Sequence, residues 1–140
     1  MSGIQFGLGV AIGSITPKEQ KDILMKDFKE VQSTWCPRNG TQFTPAHSQP
    51  DFSFITYAPK AFRYFRDAYG IKPADFLLSL CTSPLQELSN PGASGSLFYL
   101  SPDDNFIIKT VSHSETTALT KMLPGYFLVR QLCDIVTITP

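Results

Sequence analysis

Apolar side chains recur at intervals of three and four residues in the middle of the chain, which is the spacing of one face of an α-helix. The pattern predicts a helix that opens at Pro59, closes at Gly70 and packs its apolar stripe against a sheet. A second helix is predicted from Pro73. The residues that form the two apolar faces are Ala61, Phe62, Phe65, Ala68 and Tyr69, followed by Phe76, Leu77 and Leu80.

Alternating apolar and polar positions predict strands in other parts of the chain. The strands cover residues 31–35, 51–57, 85–88, 96–100 and 106–111. Residues 36–50 are rich in proline and predict a long surface loop, and residues 101–105 are a dense turn signal. Together these elements predict an α+β fold in which helices pack on an antiparallel sheet.

The first part of the chain contains a spaced glycine run at Gly7, Gly9 and Gly13. We expect a loop or a strand edge here. A dinucleotide site is rejected, because no strand precedes the run and no acidic residue follows at the required distance. A capped helix start is predicted at Thr16, with Pro17 in the first turn, and this helix should end near residues 28–30.

Composition limits the class of protein. The 140 residues are 42% hydrophobic and 17% charged, with zero formal net charge, as is typical of one soluble globular domain. No overall charge attracts nucleic acid or anionic lipid, so we expect no nucleic-acid partner. Residues 1–16 lack the basic start of a signal peptide and are too short to span a membrane.

Cysteine usage points to a reducing compartment. Cys36, Cys81 and Cys133 are odd in number and widely spaced, as in reduced thiols of a cytosolic protein. Neither His47 nor His113 has a cysteine at ligand spacing, so no metal site is expected.

A local basic cluster is predicted on the outer side of the two central helices. It consists of Lys60, Arg63, Arg66 and Lys72. A solvated face that Asp67 and Asp75 partly neutralise is the favoured interpretation. Contact with lipid head groups is the alternative, since local basic clusters are attracted to an anionic leaflet.

The candidate chemistry lies in a loop of small residues followed by a lysine-bearing strand. Glycine at positions 92 and 95 lets backbone N–H groups approach an anion closely, and the neighbouring hydroxyls can contact it too. Lys109 then offers a point charge between apolar neighbours on the last strand, unless it lies at an edge and reaches water. The candidate ligand-binding residues are Gly92, Ala93, Ser94, Gly95, Ser96 and Lys109.

A last helix is predicted to follow this strand. Ser112 and Glu115 have the spacing of a capping box, in which Glu115 accepts a hydrogen bond from the Ser112 amide. Glu115 is also the obvious carboxylate to pair with Lys109, and the two roles compete. The helix should end at Pro124-Gly125, with an apolar face made of Ala118, Leu119, Met122 and Leu123.

Several of these segments also resemble a known family. Residues 88–100, 106–111 and 57–66 closely resemble the phosphatidylinositol phosphate kinases. Residues 25–28, 44–47 and 70–73 resemble the type I branch, the phosphatidylinositol-4-phosphate 5-kinases. The resemblance runs in one colinear order from about Ile4 to Phe127.

The resemblance implies an N-terminal lobe of the lipid kinase fold over residues 1–127 and a divergent tail over residues 128–140. It implies that ATP phosphates bind between the glycine loop and Lys109, with Glu115 beside Lys109. The implied reaction converts phosphatidylinositol 4-phosphate to phosphatidylinositol 4,5-bisphosphate with ATP and Mg²⁺. The implied location is cytoplasmic, peripheral to the inner face of the plasma membrane.

The same resemblance predicts what this chain lacks. The C-lobe supplies the catalytic acid, the Mg²⁺ ligands and the contact with the phosphoinositide membrane, so no catalytic or metal-binding residue is expected here, and no turnover by the chain alone. An alternative is a non-catalytic, truncated form that binds and regulates a full-length lipid kinase. A homodimer or heterodimer through N-lobe surfaces is a further expectation from the family.

Overall fold

The computed structural model describes residues 2–13, 22–89 and 95–138, with side chains described through residue 131. The helices are α1 (Gly3–Gly13), a 3₁₀ helix (Met25–Lys29), α2 (Pro59–Ala68), α3 (Pro73–Cys81) and α4 (His113–Ile138). The strands are β1 (Val31–Cys36), β2 (Phe52–Tyr57), β3 (Gln86–Leu88), β4 (Phe98–Leu100) and β5 (Ile107–Lys109).

The predicted α+β class and the antiparallel pairing of the strands are confirmed. Within the described residues the strands form two sheets rather than one. β1 pairs with β2, from Val31 opposite Tyr57 to Cys36 opposite Phe52. β3, β4 and β5 form a separate three-stranded sheet in sequence order. The two central helices lie between β2 and β3 in the chain, and they divide the strands into these two groups.

The main core is an aromatic cluster between helices. Ala61 and Phe65 of α2 pack with Phe28 of the 3₁₀ helix and with Leu123 and Phe127 of α4. The Phe28 and Phe127 rings meet edge to face, with their centroids 5.5 Å apart. The predicted helix α2 is therefore present, and Ala61 and Phe65 of its apolar stripe are buried, whereas Tyr69 is 55% exposed. The stripe packs on the 3₁₀ helix and α4 and not on a sheet.

Helix α4 continues past the point where the sequence predicted its end. Pro124 lies inside the helix, which runs to Ile138. A proline removes one N–H donor and normally breaks a helix. Here Leu123 and Phe127 on either side of it are buried in the core, and Arg130 donates a 3.3 Å hydrogen bond to the Ala68 carbonyl of α2. These contacts hold both parts of α4 against the same neighbours.

The N-terminal glycine run also differs from its prediction, because it forms helix α1 and not a loop or a strand edge. The Gln5 amide nitrogen donates hydrogen bonds to the Leu80 carbonyl at 2.9 Å and to the Ser83 carbonyl at 2.7 Å. Gly7 lies directly against the Phe54 ring of β2. Small residues thus allow α1 to approach the β1–β2 pair, while Gln5 fixes it to the end of α3. The helix start predicted at Thr16 lies outside the described residues, and the predicted continuation to residues 28–30 is wrong in its described part, because residues 22–24 are not helical and only Met25–Lys29 forms a 3₁₀ helix.

The basic residues of α2 are mostly engaged within the protein. The Lys60 ammonium contacts Glu30 at 3.1 Å and the buried Asp27 at 3.4 Å. Arg63 lies 3.8 Å from Asp67, and the Arg66 guanidinium lies over the Phe76 ring at 5.1 Å. This arrangement favours the partly neutralised face over a lipid-binding one. No helix in the described part of the chain is long and apolar enough to cross a membrane.

Two glycines of α1 give a matched test of this packing. Gly7→Ala should destabilise the protein by about 1 to 3 kcal/mol, because the new Cβ would overlap the Phe54 ring. Gly9→Ala should stabilise it by up to about 1 kcal/mol, because open space surrounds Gly9 and alanine favours the helix. Urea unfolding of both variants measures the difference, and equal effects would show that α1 does not pack on β2.

Candidate functional site

The candidate site begins with the β4–β5 hairpin, which places Lys109 at the end of β5. Its turn is closed by a hydrogen bond from the Ser101 N–H to the Phe106 carbonyl at 2.9 Å. One oxygen of Asp103 accepts hydrogen bonds from the Ser101 hydroxyl at 2.7 Å and from the Ser79 hydroxyl of α3 at 2.6 Å. These hydroxyls, that of Ser79 foremost, hold the pKa of Asp103 well below its usual range. The hairpin is therefore tied to α3 through a carboxylate that stays charged.

Lys109 is held by contacts with three neighbours. It lies opposite Phe98 in the β4–β5 register, and its ammonium is 5.9 Å from the centre of that ring. The ammonium donates to the Thr110 carbonyl at 3.2 Å and contacts one oxygen of Glu115 at 3.4 Å. The Lys109 side chain is 37% exposed. It is thus partly covered by protein while still open to a ligand.

Glu115 has both of the roles that the sequence left in competition. Its second oxygen accepts a 2.7 Å hydrogen bond from the Ser112 N–H, while its first contacts Lys109. The Glu115 N–H in turn donates to the Ser112 hydroxyl at 3.3 Å, which completes the capping box. The bond from the Ser112 N–H is the largest cause of a lowered pKa at Glu115, followed by the Ser112 hydroxyl and the Lys109 charge. The cap orients the carboxylate, and one oxygen stays available for the lysine.

The glycine side of the site is described in part. Gly95 has a φ of +65°, a left-handed conformation that favours glycine. It is exposed, and the half-buried Ser96 links it to the residues leading into β4, the strand next to Lys109. Gly92, Ala93 and Ser94 lie outside the described residues, so their predicted role toward a ligand stays a prediction.

Exposed apolar side chains lie near Lys109 in the chain. Ile107 shares the face of β5 with Lys109 by strand alternation, Val111 follows two residues after Lys109, and they are 61% and 50% exposed. A cation beside an open apolar surface suits a ligand that combines an anionic group with a flat, weakly polar group. Among the described residues, no group of three or more His, Cys, Asp or Glu side chains could hold a metal ion.

Sequence reasoning missed two residues that shape this site. Thr110 bonds through its hydroxyl to the Leu97 N–H at 2.8 Å, and Asp103 anchors the turn to α3. Asp103 was visible only as part of a turn signal. Thr110 gave no signal at all, because a threonine at the end of a strand is ordinary.

Comparisons with known proteins bear on the same segment. Residues 79–131 match the family model of phosphatidylinositol-4-phosphate 5-kinase. The type-1 beta phosphatidylinositol 4-phosphate 5-kinase of Mus musculus is 58% identical over 125 residues, which is 89% of this chain and 23% of the relative. The type-1 alpha enzyme of Rattus norvegicus is 57% identical over the same shares. The type-1 sktl enzyme of Drosophila melanogaster is 56% identical over 128 residues, or 91% of this chain and 16% of the relative.

The matched segment contains the β3–β5 sheet, Lys109, Glu115 and most of α4. This segment matches the phosphatidylinositol-4-phosphate 5-kinase family. Within that family, the chain is similar to type-1 phosphatidylinositol 4-phosphate 5-kinases over most of its length, and it spans less than a quarter of the relatives named above. The family match reaches residue 131, past Phe127 where the resemblance was expected to stop. The domain boundary at residue 127 stays a prediction.

The two roles of Glu115 can be separated by titration. We expect Glu115 to titrate below its ordinary pKa, because three neighbouring groups favour its charged form. Lys109→Met removes one of these and should raise the pKa only part of the way back, since the Ser112 N–H remains. Carboxyl ¹³C NMR of the full chain measures both values. Complete recovery in Lys109→Met would mean that the ion pair, and not the cap, holds the carboxylate.

Proposed function

We propose that this chain is the N-lobe of an ATP-dependent 1-phosphatidylinositol-4-phosphate 5-kinase and that its part in the reaction is to bind the nucleotide. Lys109 contacts the phosphates, Glu115 orients Lys109, and residues 92–96 remain the glycine segment that the sequence predicts to bind the same phosphates. The observation that carries the proposal is the 3.4 Å contact between Lys109 and Glu115, made beside the strand that follows Gly95.

The arrangement of donors and acceptors supports an anionic ligand. A lysine ammonium has three N–H donors. The Thr110 carbonyl and Glu115 take two of them, which leaves one for a phosphate oxygen. The Glu115 charge also lowers the cost of holding this ammonium beside apolar side chains. Ile107 and Val111 provide an open apolar surface for the base of the nucleotide.

The proposal limits what this chain does in catalysis. In kinases, Mg²⁺ bridges the phosphates and neutralises the charge that develops during transfer. Among the described residues no group of three or more His, Cys, Asp or Glu side chains could hold a metal ion, and the proposal leaves the metal ligands and the catalytic acid to the remainder of a complete kinase. The named relatives are 5-kinases of phosphatidylinositol 4-phosphate. We propose that the protein acts at the cytoplasmic face of the plasma membrane, where it would meet this lipid as part of a complete kinase.

Nucleotide-dependent stabilisation tests the proposal. A ligand at 100 times its Kd adds about 2.7 kcal/mol to the free energy of unfolding, which raises the melting temperature by several degrees in a domain of this size. Lys109→Met should abolish this shift for ATP. The matched control is Lys72→Met, which removes an exposed lysine at the start of α3 and should keep the shift. Equal stabilisation of wild type and Lys109→Met by ATP would contradict the assignment.

A second candidate is the non-catalytic form that binds and regulates a full-length lipid kinase. The observation that favours it is an exposed apolar surface on α4, where Met122 and Val129 are 68% and 59% exposed. The tagged chain should then co-precipitate with a purified full-length type-1 kinase and change its rate of lipid phosphorylation. Met122→Glu with Val129→Glu should weaken this capture. Capture that is unaffected by these changes would show that the α4 surface does not bind the full-length kinase.

A further inference from the structure

The end of the β4–β5 ladder contains an unusual exchange of acceptors. In an antiparallel pair that is hydrogen-bonded, each residue donates its N–H to the carbonyl of the other. Leu97 and Thr110 are the next pair beyond Phe98 and Lys109 in this register. The Thr110 N–H donates to the Leu97 carbonyl at 2.9 Å, as expected. The Leu97 N–H, however, donates to the Thr110 hydroxyl at 2.8 Å and not to the Thr110 carbonyl.

This exchange leaves the Thr110 carbonyl available for another donor. That donor is the Lys109 ammonium, at 3.2 Å. The carbonyl and Glu115 then hold the same ammonium from two directions, at 3.2 and 3.4 Å. A flexible lysine side chain has many rotamers, and two acceptors at fixed positions reduce their number.

The same threonine also fixes the strand that follows the glycine segment. Leu97 is two residues after Gly95, and both of its backbone polar groups bond to Thr110. The hydroxyl thereby sets the position of the chain leaving the glycine segment relative to Lys109, which is the residue before Thr110. One side chain controls both the direction of the ammonium and the position of the neighbouring backbone.

We propose that Thr110 is a positioning residue of the nucleotide site, whose hydroxyl replaces its own carbonyl in the strand ladder so that the carbonyl can orient the Lys109 ammonium. The value of this arrangement for nucleotide binding rests on the proposed function. The orientation of Lys109 itself does not, since it follows from the contacts alone.

The test uses the full chain with three substitutions. Thr110→Val keeps the branched shape and the backbone N–H but removes the hydroxyl, so the Leu97 N–H is expected to return to the carbonyl and draw it away from Lys109. Thr110→Ser restores the hydroxyl. Thr56→Val is the matched control, because Thr56 lies on a half-buried strand position of the other sheet and bonds only weakly, at 3.4 Å, to the Gln32 carbonyl.

The first measurement is the ¹⁵Nζ resonance of Lys109, assigned by its loss in Lys109→Met and recorded without nucleotide. It should move in Thr110→Val, return in Thr110→Ser and stay unchanged in Thr56→Val. The second measurement is ATP affinity, which should fall about three- to tenfold in Thr110→Val, the loss typical of one hydrogen bond, and recover in Thr110→Ser. Urea unfolding of each variant identifies any that fail to fold, and Thr110→Ala then serves as a second variant without the hydroxyl.

The two readouts separate this inference from the proposed function. An unmoved Lys109 resonance in both Thr110→Val and Thr110→Ala overturns the role of Thr110, whatever ATP does. If the wild-type chain does not bind ATP, the proposed nucleotide site is wrong. The Lys109 resonance still shows in that case whether Thr110 orients the lysine. A resonance that moves together with a recoverable loss of ATP affinity supports both.

Discussion

The site depends on one electrostatic constraint, which is that the Lys109 ammonium needs polar partners and must still be open to a ligand. A buried ammonium without a partner carries a large desolvation cost. A fully enclosed ion pair would have no free donor. The structure meets both demands by giving Lys109 one carboxylate and one carbonyl and leaving its side chain 37% exposed. The cap at Ser112 and the packing of α4 keep the carboxylate in place, and the bond between Leu97 and the Thr110 hydroxyl leaves the carbonyl available.

The packing of α4 explains how Glu115 reaches this position. The helix begins at His113, four residues after Lys109, so the end of β5 and the start of α4 are nearly adjacent in the chain. Its direction is fixed further along, where Leu123 and Phe127 enter the aromatic core with Phe28 and Phe65. The Ser112 capping box then fixes the Glu115 side chain. A remote hydrophobic core and a local hydrogen-bond motif thus determine one contact.

Local rules predicted much of this arrangement from the sequence. The alternation around Lys109, the box at Ser112 and the helix opening at Pro59 all concern neighbours in the chain, and the structure has each of them. The errors concern tertiary contacts. Propensity disfavours a helix through glycines or through Pro124, but close packing of Gly7 on Phe54 and burial on both sides of Pro124 outweigh it. The role of Thr110 depends on whether the Leu97 N–H donates to the Thr110 hydroxyl or to the Thr110 carbonyl. No sequence pattern predicts which of the two is the acceptor.

The energies involved indicate why these contacts are present. An ion pair between partly exposed groups contributes only about 0 to 1 kcal/mol to stability, and Glu115 and Lys109 are 50% and 37% exposed. The fold would lose little without this pair, since its core is made of aromatic and aliphatic side chains elsewhere. Three separate features nevertheless converge on Lys109, namely the cap at Ser112, the freed Thr110 carbonyl and the Phe98 ring. Such convergence on a contact of small stabilising value is better explained by binding, where a fixed ammonium avoids the entropy cost of ordering it when an anion arrives.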